Sequence, residues 1–406
     1  MKEKIIKIYD NYGTLIILGI IGIPIGAIIG AIDAIFGEVL LKITAIREMN
    51  PTYFIPFLPL VGIIIVYCYS KFGGKSSKGM NLVFEVAHGE EEEIPLRLIP
   101  FVISGTWLTH LFGGSAGREG VAVQIGATFS HYVGRKLPFK NASKIFLVTG
   151  MAAGFAGLFQ TPIAALLFAM EVVVAGALEY QALFPAFTAA ITASTVSGAL
   201  GLEKFSFALT SEISFDWSVF GKLIVAGIIF GIIGGLFAWS LKWTKKVLGD
   251  KFSNPIIRIA VMGVGLSILF LLLYNGRYSG LGTNLIQSSF QGEEIFAYDW
   301  FLKFILTILT LSVGFQGGEV TPLFSIGASL GVVLAKLLHL PIELVAALGY
   351  SSVFGGATNT LFAPIFIGGE VFGYAYLPYF FVVCTISYIF NMNKSIYSLQ
   401  KVVTTL

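Results

Sequence analysis

Charged side chains are scarce in this sequence of 406 residues. Asp, Glu, Lys and Arg together make up 12% of it, whereas 56% is hydrophobic and the mean hydropathy is +0.84. A water-soluble protein carries about twice that share of charge. The net charge is only +3 and no basic tail is present, which excludes a nucleic-acid surface. The composition is that of a protein embedded in a bilayer.

Residues that build disulfide frameworks and most metal sites are also few. Cys68 and Cys384 are the only cysteines, and both lie in apolar runs, where cysteine behaves as a small buried side chain. The four histidines are scattered without metal-ligand spacing. We therefore expect no disulfide scaffold, no metal site and no cofactor.

Signature motifs of the common enzyme classes are absent as well. The sequence has no HExxH, no nucleophile elbow and no phosphate-binding P-loop. An intramembrane enzyme that uses Glu119 and Glu319 is an alternative from a different class. Because no paired histidine, aspartate or nucleophile accompanies these carboxylates, we rank this alternative below transport.

What the sequence does contain is long runs without charge. About 20 apolar residues cross the hydrocarbon core of a bilayer. A retained first helix with a cytoplasmic N-terminus is indicated, because lysines precede the first run and no cleavage site follows it. The predicted fold class is an all-α integral membrane protein. The runs near or above the spanning length lie at 14–32, 53–70, 145–170, 180–202, 259–276, 344–369 and 371–393.

Glycine and proline interrupt several apolar stretches, as at 150–162, 314–322 and 349–364. These interruptions predict helices that break within the membrane. A break leaves backbone amides unpaired, which is tolerated at membrane depth only where they face protein, water or an ion. The breaks therefore point toward an ion site, and helix N-termini directed at it would attract an anion.

The sequence also matches itself at a distance of about 200 residues. Residues 117–127 align with 318–328 at an offset of 201, and 150–171 align with 349–370 at an offset of 199. For either alignment alone, chance matching of glycine and alanine is about as good an explanation as a repeat. Two nearly equal offsets favour an ancient duplication.

The repeat divides the chain into three parts. We predict a first half over 1–202, a polar connecting segment over 203–217 and an inverted second half over 218–406. Matched, interrupted segments in two halves are typical of transporters whose ion site lies at the interface between the repeats.

Glu119 is an ionisable residue at the start of an uncharged segment, 120–130. A carboxylate inside a membrane is costly and is usually functional. The alternative is a helix cap at a membrane surface, which the helix dipole alone would favour. In the functional interpretation the carboxylate occupies an anion's place at a helix N-terminus. It leaves when protonated, which links anion entry to proton uptake.

Glu319 holds a related position in the second half. Pro322 fits the first turn of a helix, so the helix is predicted to begin near Val320 with free amides for an anion. A simple capping role is slightly favoured here on spacing alone. Glu171 and Glu370 end their apolar runs, and for both we favour structural roles at helix ends.

Three long motifs resemble signature stretches of the CLC channels and transporters: GGSAGREGVAVQIGA at 113–127, GMAAGFAGLFQTPIAALLFAME at 150–171 and GFQGGEVTPLFSIGASLG at 314–331. The resemblance covers essentially the whole chain. It implies a CLC-type inverted-repeat bundle with tilted, broken and re-entrant helices. It also implies a homodimer with one pathway per subunit, cytoplasmic termini in a bacterial plasma membrane, and no cytoplasmic regulatory domain after Leu406.

The resemblance assigns roles to residues that the pattern alone leaves open. Glu119 matches the gating glutamate that carries protons. Tyr397, otherwise readable as an interfacial belt tyrosine, matches the inner-gate tyrosine whose hydroxyl donates to the central anion. Val320, with Thr321 beside it, falls where helix-start amides approach the anion.

Departures from the chloride-handling pattern narrow the resemblance. Met80 and Asn81 stand where those relatives usually have a serine hydroxyl, Glu319 replaces a small or apolar residue, and Val172 replaces a second carboxylate. This combination resembles the fluoride-exporting branch of the family. It implies a fluoride/proton antiporter in which Glu119 carries protons, Glu319 takes part, and Met80 and Asn81 adjoin the anion. A chloride/proton exchanger and a passive anion channel are the alternatives within the family.

Overall fold

Helices make up nearly all the regular secondary structure of this computed structural model. It describes the backbone of residues 2–210 and 216–403, and side chains from residue 13 onward within those ranges. In hydrocarbon a segment must satisfy its own backbone hydrogen bonds, which favours helices. The helices are α1 Lys2–Met49, α2 Pro51–Phe54, α3 Leu58–Cys68, α4 Met80–Ala87, α5 Leu98–Leu111, α6 Glu119–Gly134, α7 Ala142–Phe159, α8 Pro162–Glu171, α9 Leu183–Ala199, α10 Trp217–Lys251, α11 Pro255–Leu272, α12 Thr283–Gln291, α13 Asp299–Val313, α14 Val320–Leu338, α15 Ile342–Thr358, α16 Phe362–Phe372 and α17 Leu377–Phe390.

The remaining regular segments are short. Two-residue strands β1 (Val174–Ala175) and β2 (Lys401–Val402) pair in parallel. Single 3-10 or π turns link helices at 55–57, 69–73, 74–78, 180–182, 274–276 and 374–376.

Several helical segments are long and apolar enough to cross a bilayer. The predicted all-α, multi-pass membrane fold is confirmed. Two spans, 217–251 and 320–338, lie outside the predicted runs. The charge-free stretch in 320–338 is only 16 residues long, whereas the 19-residue stretch in 217–251 exceeds the predicted run at 259–276 and was overlooked. The candidate spans in the described part of the chain are 13–49, 51–87, 142–159, 180–199, 217–251, 255–272 and 320–338.

The predicted interruptions are present as breaks between helices. The run 145–170 divides where α7 ends and α8 begins at Pro162, and the run 344–369 divides between α15 and α16. Gln160 and Asn359 end α7 and α15 in the left-handed region, at φ of 55° and 56°. Each run therefore forms two helices, and the first amides after the break have no partner within their own helix.

Close glycine contacts hold α6 against α7 and α14 against α15. A Cβ on Gly126 of α6 would lie 2.0 Å from the carbonyl oxygen of Gly150 of α7. Gly327 of α14 and Gly349 of α15 make the same kind of contact at 2.1 Å. These distances exclude any side chain, and small residues of this kind allow helix backbones to approach closely in membranes.

The predicted division into two halves was drawn through 203–217. Residues 211–215 of that segment, and residues 1 and 404–406 at the ends of the two halves, lie outside the described residues. The division stays a prediction.

Basic side chains gather at one end of the molecule, which we call the basic end. Lys401 Nζ lies 3.4 Å from Glu90 Oε1, and Arg135 pairs with Glu93. The Lys401–Glu90 pair joins segments from the two sequence halves, and the Arg135–Glu93 pair lies within the first half. The basic end is defined by Lys75, Lys78, Arg135, Lys242, Lys245, Lys246, Lys394 and Lys401.

Candidate functional site

Two loops meet in the interior, one before α6 and the other before α14. Gly117 N–H donates to the carbonyl of Gly318 at 2.5 Å, and Gly318 N–H donates back at 2.8 Å. A Cβ on Gly117 would lie 2.9 Å from Pro322 Cδ, and one on Gly318 would lie 3.0 Å from the nitrogen of Gly120. The close crossing therefore requires glycine, and it places the starts of α6 and α14 beside each other.

Glu119 is the first residue of α6, and its side chain is only 1% exposed. Its Oε2 accepts from Thr321 N–H at 3.1 Å and from Thr321 Oγ1 at 2.5 Å. The N–H of Arg118 also donates to it, at 3.3 Å. The carboxylate thus lies at the N-terminus of α14, where free amides and the helix dipole favour negative charge. Such burial does not fit a cap at a membrane surface.

Arg118 adds positive charge beside this carboxylate. Its Nε lies 3.7 Å from Glu119 Oε1. Nε and Nη1 are buried and have no hydrogen-bond partner among the described residues. Unpaired guanidinium donors in a buried position favour a nearby anion.

Glu319 is the N-cap residue of α14 and faces the start of α6. A Cβ on Gly120 would lie 3.9 Å from Glu319 Oε2. No other residue in the described part of the chain donates a hydrogen bond to this carboxylate, in contrast to Glu119. Glu319 also lines a cavity that opens at the basic end. It therefore lies between that cavity and the crossing of the loops.

The cavity has a volume of about 350 Å³. Of the residues predicted to form a site, it brings together Met80, Asn81, Glu319 and Tyr397. Glu119, Val320 and Thr321 do not line it and lie instead at the crossing. The predicted residues thus form two adjacent groups. The cavity is also lined by Gln124, Lys242, Lys245 and Ser398.

Tyr397 is buried, unlike a tyrosine in an interfacial belt. Its ring stacks on Phe84 at 5.3 Å and meets Phe168 edge-on at 6.3 Å between centroids. The N–H of Ile396 donates to the carbonyl of Ala357 and holds the preceding residue. The Tyr397 hydroxyl has no hydrogen-bond partner among the described residues, so it has a donor to offer an anion.

Met80 and Asn81 begin α4, directly after Gly79, whose φ is +54°. The Met80 side chain is half-buried beside the cavity, whereas Asn81 is exposed. Asn81 Oδ1 accepts from Ser398 Oγ at 3.1 Å, next to Tyr397. Asn81 thus contacts the segment that carries the tyrosine.

Sequence reasoning missed Gln124, which lies in α6 and is almost fully buried. Its Nε2 donates to the carbonyl of Gly120 at 3.2 Å, while its Oε1 has no partner in the described chain. The signal was available, because an amide in the apolar stretch 120–127 is expensive without a function. Phe324 and Tyr350, whose rings stack at 4.1 Å, mark an aromatic cluster in the second half.

Glu171 and Glu370 cap helices across the molecule. Glu171, at the end of α8, accepts from the amides of residues 361, 362 and 363 at 3.1, 3.1 and 2.8 Å. Glu370, in α16, accepts from those of residues 163 and 164 at 3.2 and 2.8 Å. Each carboxylate satisfies the free amides at the start of the other helix. This geometry agrees with the structural roles predicted for both residues.

Taken together, these features define a multi-pass membrane protein in which the starts of α6 and α14 meet at a buried carboxylate, Glu119, that accepts from backbone and hydroxyl donors. The family model described as "Voltage gated chloride channel" matches residues 61–392. The chain belongs to this family, the CLC family.

Individual relatives agree with the assignment. A "Chloride/fluoride channel protein" of Pseudomonas syringae pv. tomato is 36% identical over 384 residues, which cover 92% of this chain and 84% of that protein. The crystal structure of a CLC-type fluoride/proton antiporter is 56% identical, with a TM-score of 0.94 over 96% of this chain and 99% of that one. A slow cyanobacterial Cl⁻/H⁺ antiporter shares the fold, with a TM-score of 0.80 at 18% identity.

Family membership settles the general class. The predicted resemblance to the CLC family is confirmed, and the chain is an integral membrane transporter of that family. At this level, transport is favoured over the intramembrane enzyme considered above.

Proposed function

We propose that this chain exports fluoride in exchange for protons, with Glu119 as the gating and proton-carrying carboxylate. The observation that carries the proposal is the position of Glu119 Oε2, which takes both donors of Thr321 at the start of α14. The 56% identity to a fluoride/proton antiporter supports the choice of ions. Met80, Glu319 and an apolar Val172 support it from the sequence.

Competition for the same donors links the two ions. Ionised Glu119 fills the anion's place at the α14 N-terminus. A protonated carboxyl group accepts more weakly from the Thr321 N–H and O–H, because charge-assisted hydrogen bonds are about twice as strong as neutral ones. Proton uptake therefore releases the side chain and admits an anion, and proton loss returns the carboxylate and expels the anion.

Fluoride suits this centre because its tight water shell needs close donors in replacement. The amide of Val320, the two donors of Thr321 and the unpaired hydroxyl of Tyr397 can supply them. Aromatic edges add partial positive charge. Glu319 lies between the crossing and the cavity, where it relays the proton to water from the basic end.

The basic end is the cytoplasmic end in this proposal. Cytoplasmic loops of membrane proteins carry an excess of Lys and Arg. Strand β2 (Lys401–Val402) lies at that end, which supports a cytoplasmic position for this strand in the proposal. We also propose a homodimer in the bacterial plasma membrane, with one pathway in each copy.

Fluoride efflux from reconstituted liposomes tests the function. Chloride efflux is measured in parallel and internal pH is recorded for wild type, Glu119→Gln and the exposed control Glu92→Gln. Wild type and the control should move protons opposite to fluoride, with little chloride flux. Glu119→Gln should lose the proton movement.

Two other outcomes would reassign the protein. Chloride efflux as fast as fluoride efflux would indicate a chloride/proton exchanger. Fluoride efflux without proton movement in wild type would indicate a passive channel, a possibility raised by the relative named a chloride/fluoride channel protein.

A further inference from the structure

A second cavity lies at the basic end, beside the one that leads to Tyr397. Its volume is about 420 Å³. Two tryptophans of α10, Trp239 and Trp243, line it together with Lys242, Lys246 and Lys394. Neither its tryptophans nor Lys246 and Lys394 take part in the proposed ion pathway.

The tryptophans lie at the depth where a bilayer changes from hydrocarbon to headgroups. Helix α10 begins at Trp217, which is 85% exposed, and rises about 1.5 Å per residue. Trp239 lies 22 residues further, or about 33 Å along the axis, which matches a hydrocarbon core of about 30 Å. Trp239 and Trp243 are 48% and 54% exposed, and their rings stack at 5.9 Å. This is the position of belt tryptophans.

The lysines of this cavity are not neutralised. Lys242, Lys246 and Lys394 are exposed, and none forms an ion pair within the described chain. Elsewhere at the basic end, Lys75, Lys78 and Lys401 pair with glutamates. Lys245 is also without an ion pair but lines the first cavity, so what distinguishes the second cavity is that its unpaired lysines lie beside the two stacked tryptophans.

We propose that this cavity binds the phosphate headgroup of an anionic phospholipid from the adjacent leaflet. The lysines complement the phosphate, and Asn393 of the lining offers an amide donor, whereas Asn359 Nδ2 already donates to Asn393 Oδ1 and Gln400 Oε1. The exposed tryptophans favour a lipid over a soluble phosphate, because they provide an apolar wall for the attached glycerol and acyl chains. Anionic lipids of the cytoplasmic leaflet attract basic clusters in this position.

The lipid would lie against the transport pathway. Lys242, Tyr397 and Ser398 line both cavities. A bound headgroup lowers the positive potential at the inner mouth and holds the segment that carries Tyr397. Membrane composition thereby affects anion entry.

Native mass spectrometry of the full chain tests the binding. The probes are phosphatidylglycerol and phosphatidylcholine with identical acyl chains. Each lysine near an anionic headgroup contributes about fivefold in affinity, so Lys246→Gln/Lys394→Gln should weaken phosphatidylglycerol binding by about 30-fold. The matched control Lys251→Gln/Lys336→Gln removes the same charge from exposed positions outside the cavity and should bind as wild type does.

Other results would overturn the proposal. Equal binding of phosphatidylcholine would remove the headgroup preference, and equal weakening in the control would indicate a general charge effect. Displacement of the lipid by millimolar inorganic phosphate would identify a soluble-phosphate site instead.

A second measurement does not depend on the lysine variants. Brominated phosphatidylglycerol should quench tryptophan fluorescence of the wild type more strongly than brominated phosphatidylcholine does. That difference should vanish in Trp239→Phe/Trp243→Phe, which keeps the other tryptophans. A difference that survives in this variant would place the lipid elsewhere and contradict the proposal.

Discussion

Two pairs of glutamates hold related positions in the sequence but behave differently in the structure. Glu171 caps the start of the helix that carries Glu370, and Glu370 caps the start of the helix that carries Glu171. At the centre, Glu119 reaches across to α14 and takes both donors of Thr321, while Glu319 faces a water-accessible cavity and receives no such bonds. The outer pair is symmetric and the inner pair is not.

The difference separates structural from functional use of the same residue type. A reciprocal cap satisfies free amides at the start of each helix and needs no alternative state. Glu119 accepts from donors that could also hold an anion, so an anion can compete with it for them. Glu319 accepts no hydrogen bond from another described residue, so it is free to pass on a proton. We therefore expect the inner pair to affect coupling and the outer pair to affect stability.

The largest expected effect is at the inner pair. Glu119→Gln should lower proton flux in liposomes by about 10² to 10⁴-fold, the usual contribution of a positioned proton-transfer group. Glu319→Gln should lower it by only about tenfold, because cavity water can replace a relay but not the group in the anion's place. Internal pH is the readout at equal fluoride gradients.

Equal losses of proton flux in Glu119→Gln and Glu319→Gln would contradict the proposed difference between the two carboxylates. In that case both carboxylates would be obligatory proton carriers. Glu92→Gln, at an exposed loop position, is the matched control and should exchange protons as wild type does.

The outer pair should show the next largest effect, on unfolding. Glu171→Ala leaves three amides without their acceptor at a buried position and should cost about 3 kcal/mol. Glu370→Ala affects two amides at a partly exposed position and should cost about 1 kcal/mol. Thermal unfolding in detergent gives both values.

Glu171→Gln separates the cap from the charge, because it keeps an acceptor oxygen and should restore part of the lost stability. Neither outer variant should alter the ratio of fluoride to protons in the fraction that folds. A changed ratio in Glu370→Ala would give the outer pair a part in transport.

The smallest effect concerns one hydroxyl. Thr321→Val removes the O–H donor to Glu119 and keeps the N–H, which should cost about 1 to 2 kcal/mol of carboxylate binding. Fluoride/proton exchange at a fixed pH should therefore change by about five- to thirtyfold. Thr128→Val is the control, since the Thr128 hydroxyl donates only within α6. A change of similar size in this control would contradict a specific role of the Thr321 hydroxyl in gating.

Much of the architecture followed from the sequence because local chemistry determines it. Proline and glycine predicted the breaks at Pro162 and before Phe362, and Pro322 predicted the start of α14 at Val320. These features depend on backbone constraints that a few neighbouring residues impose.

The hydrogen-bond partners of the carboxylates could not be predicted from the sequence. The bond from Thr321 to Glu119 joins residues 202 positions apart, and no local pattern specifies it. The amide of Gln124 in an apolar helix was a signal in the sequence, but only the structure shows that the cavity adjoins it. The uncharged stretch of α14, 16 residues, is too short for a search for spanning runs, whereas that of α10, 19 residues, met the criterion and was overlooked.

The long separation between Glu119 and Thr321 has a consequence for biosynthesis. A ribosome adds about 5 to 20 residues per second, so roughly 10 to 40 s pass between synthesis of the carboxylate and synthesis of its donor. During that interval the nascent chain must keep Glu119 hydrated or protonated, since a bare buried charge is costly. The first half therefore cannot adopt its final arrangement around Glu119 until the ribosome has synthesised Thr321.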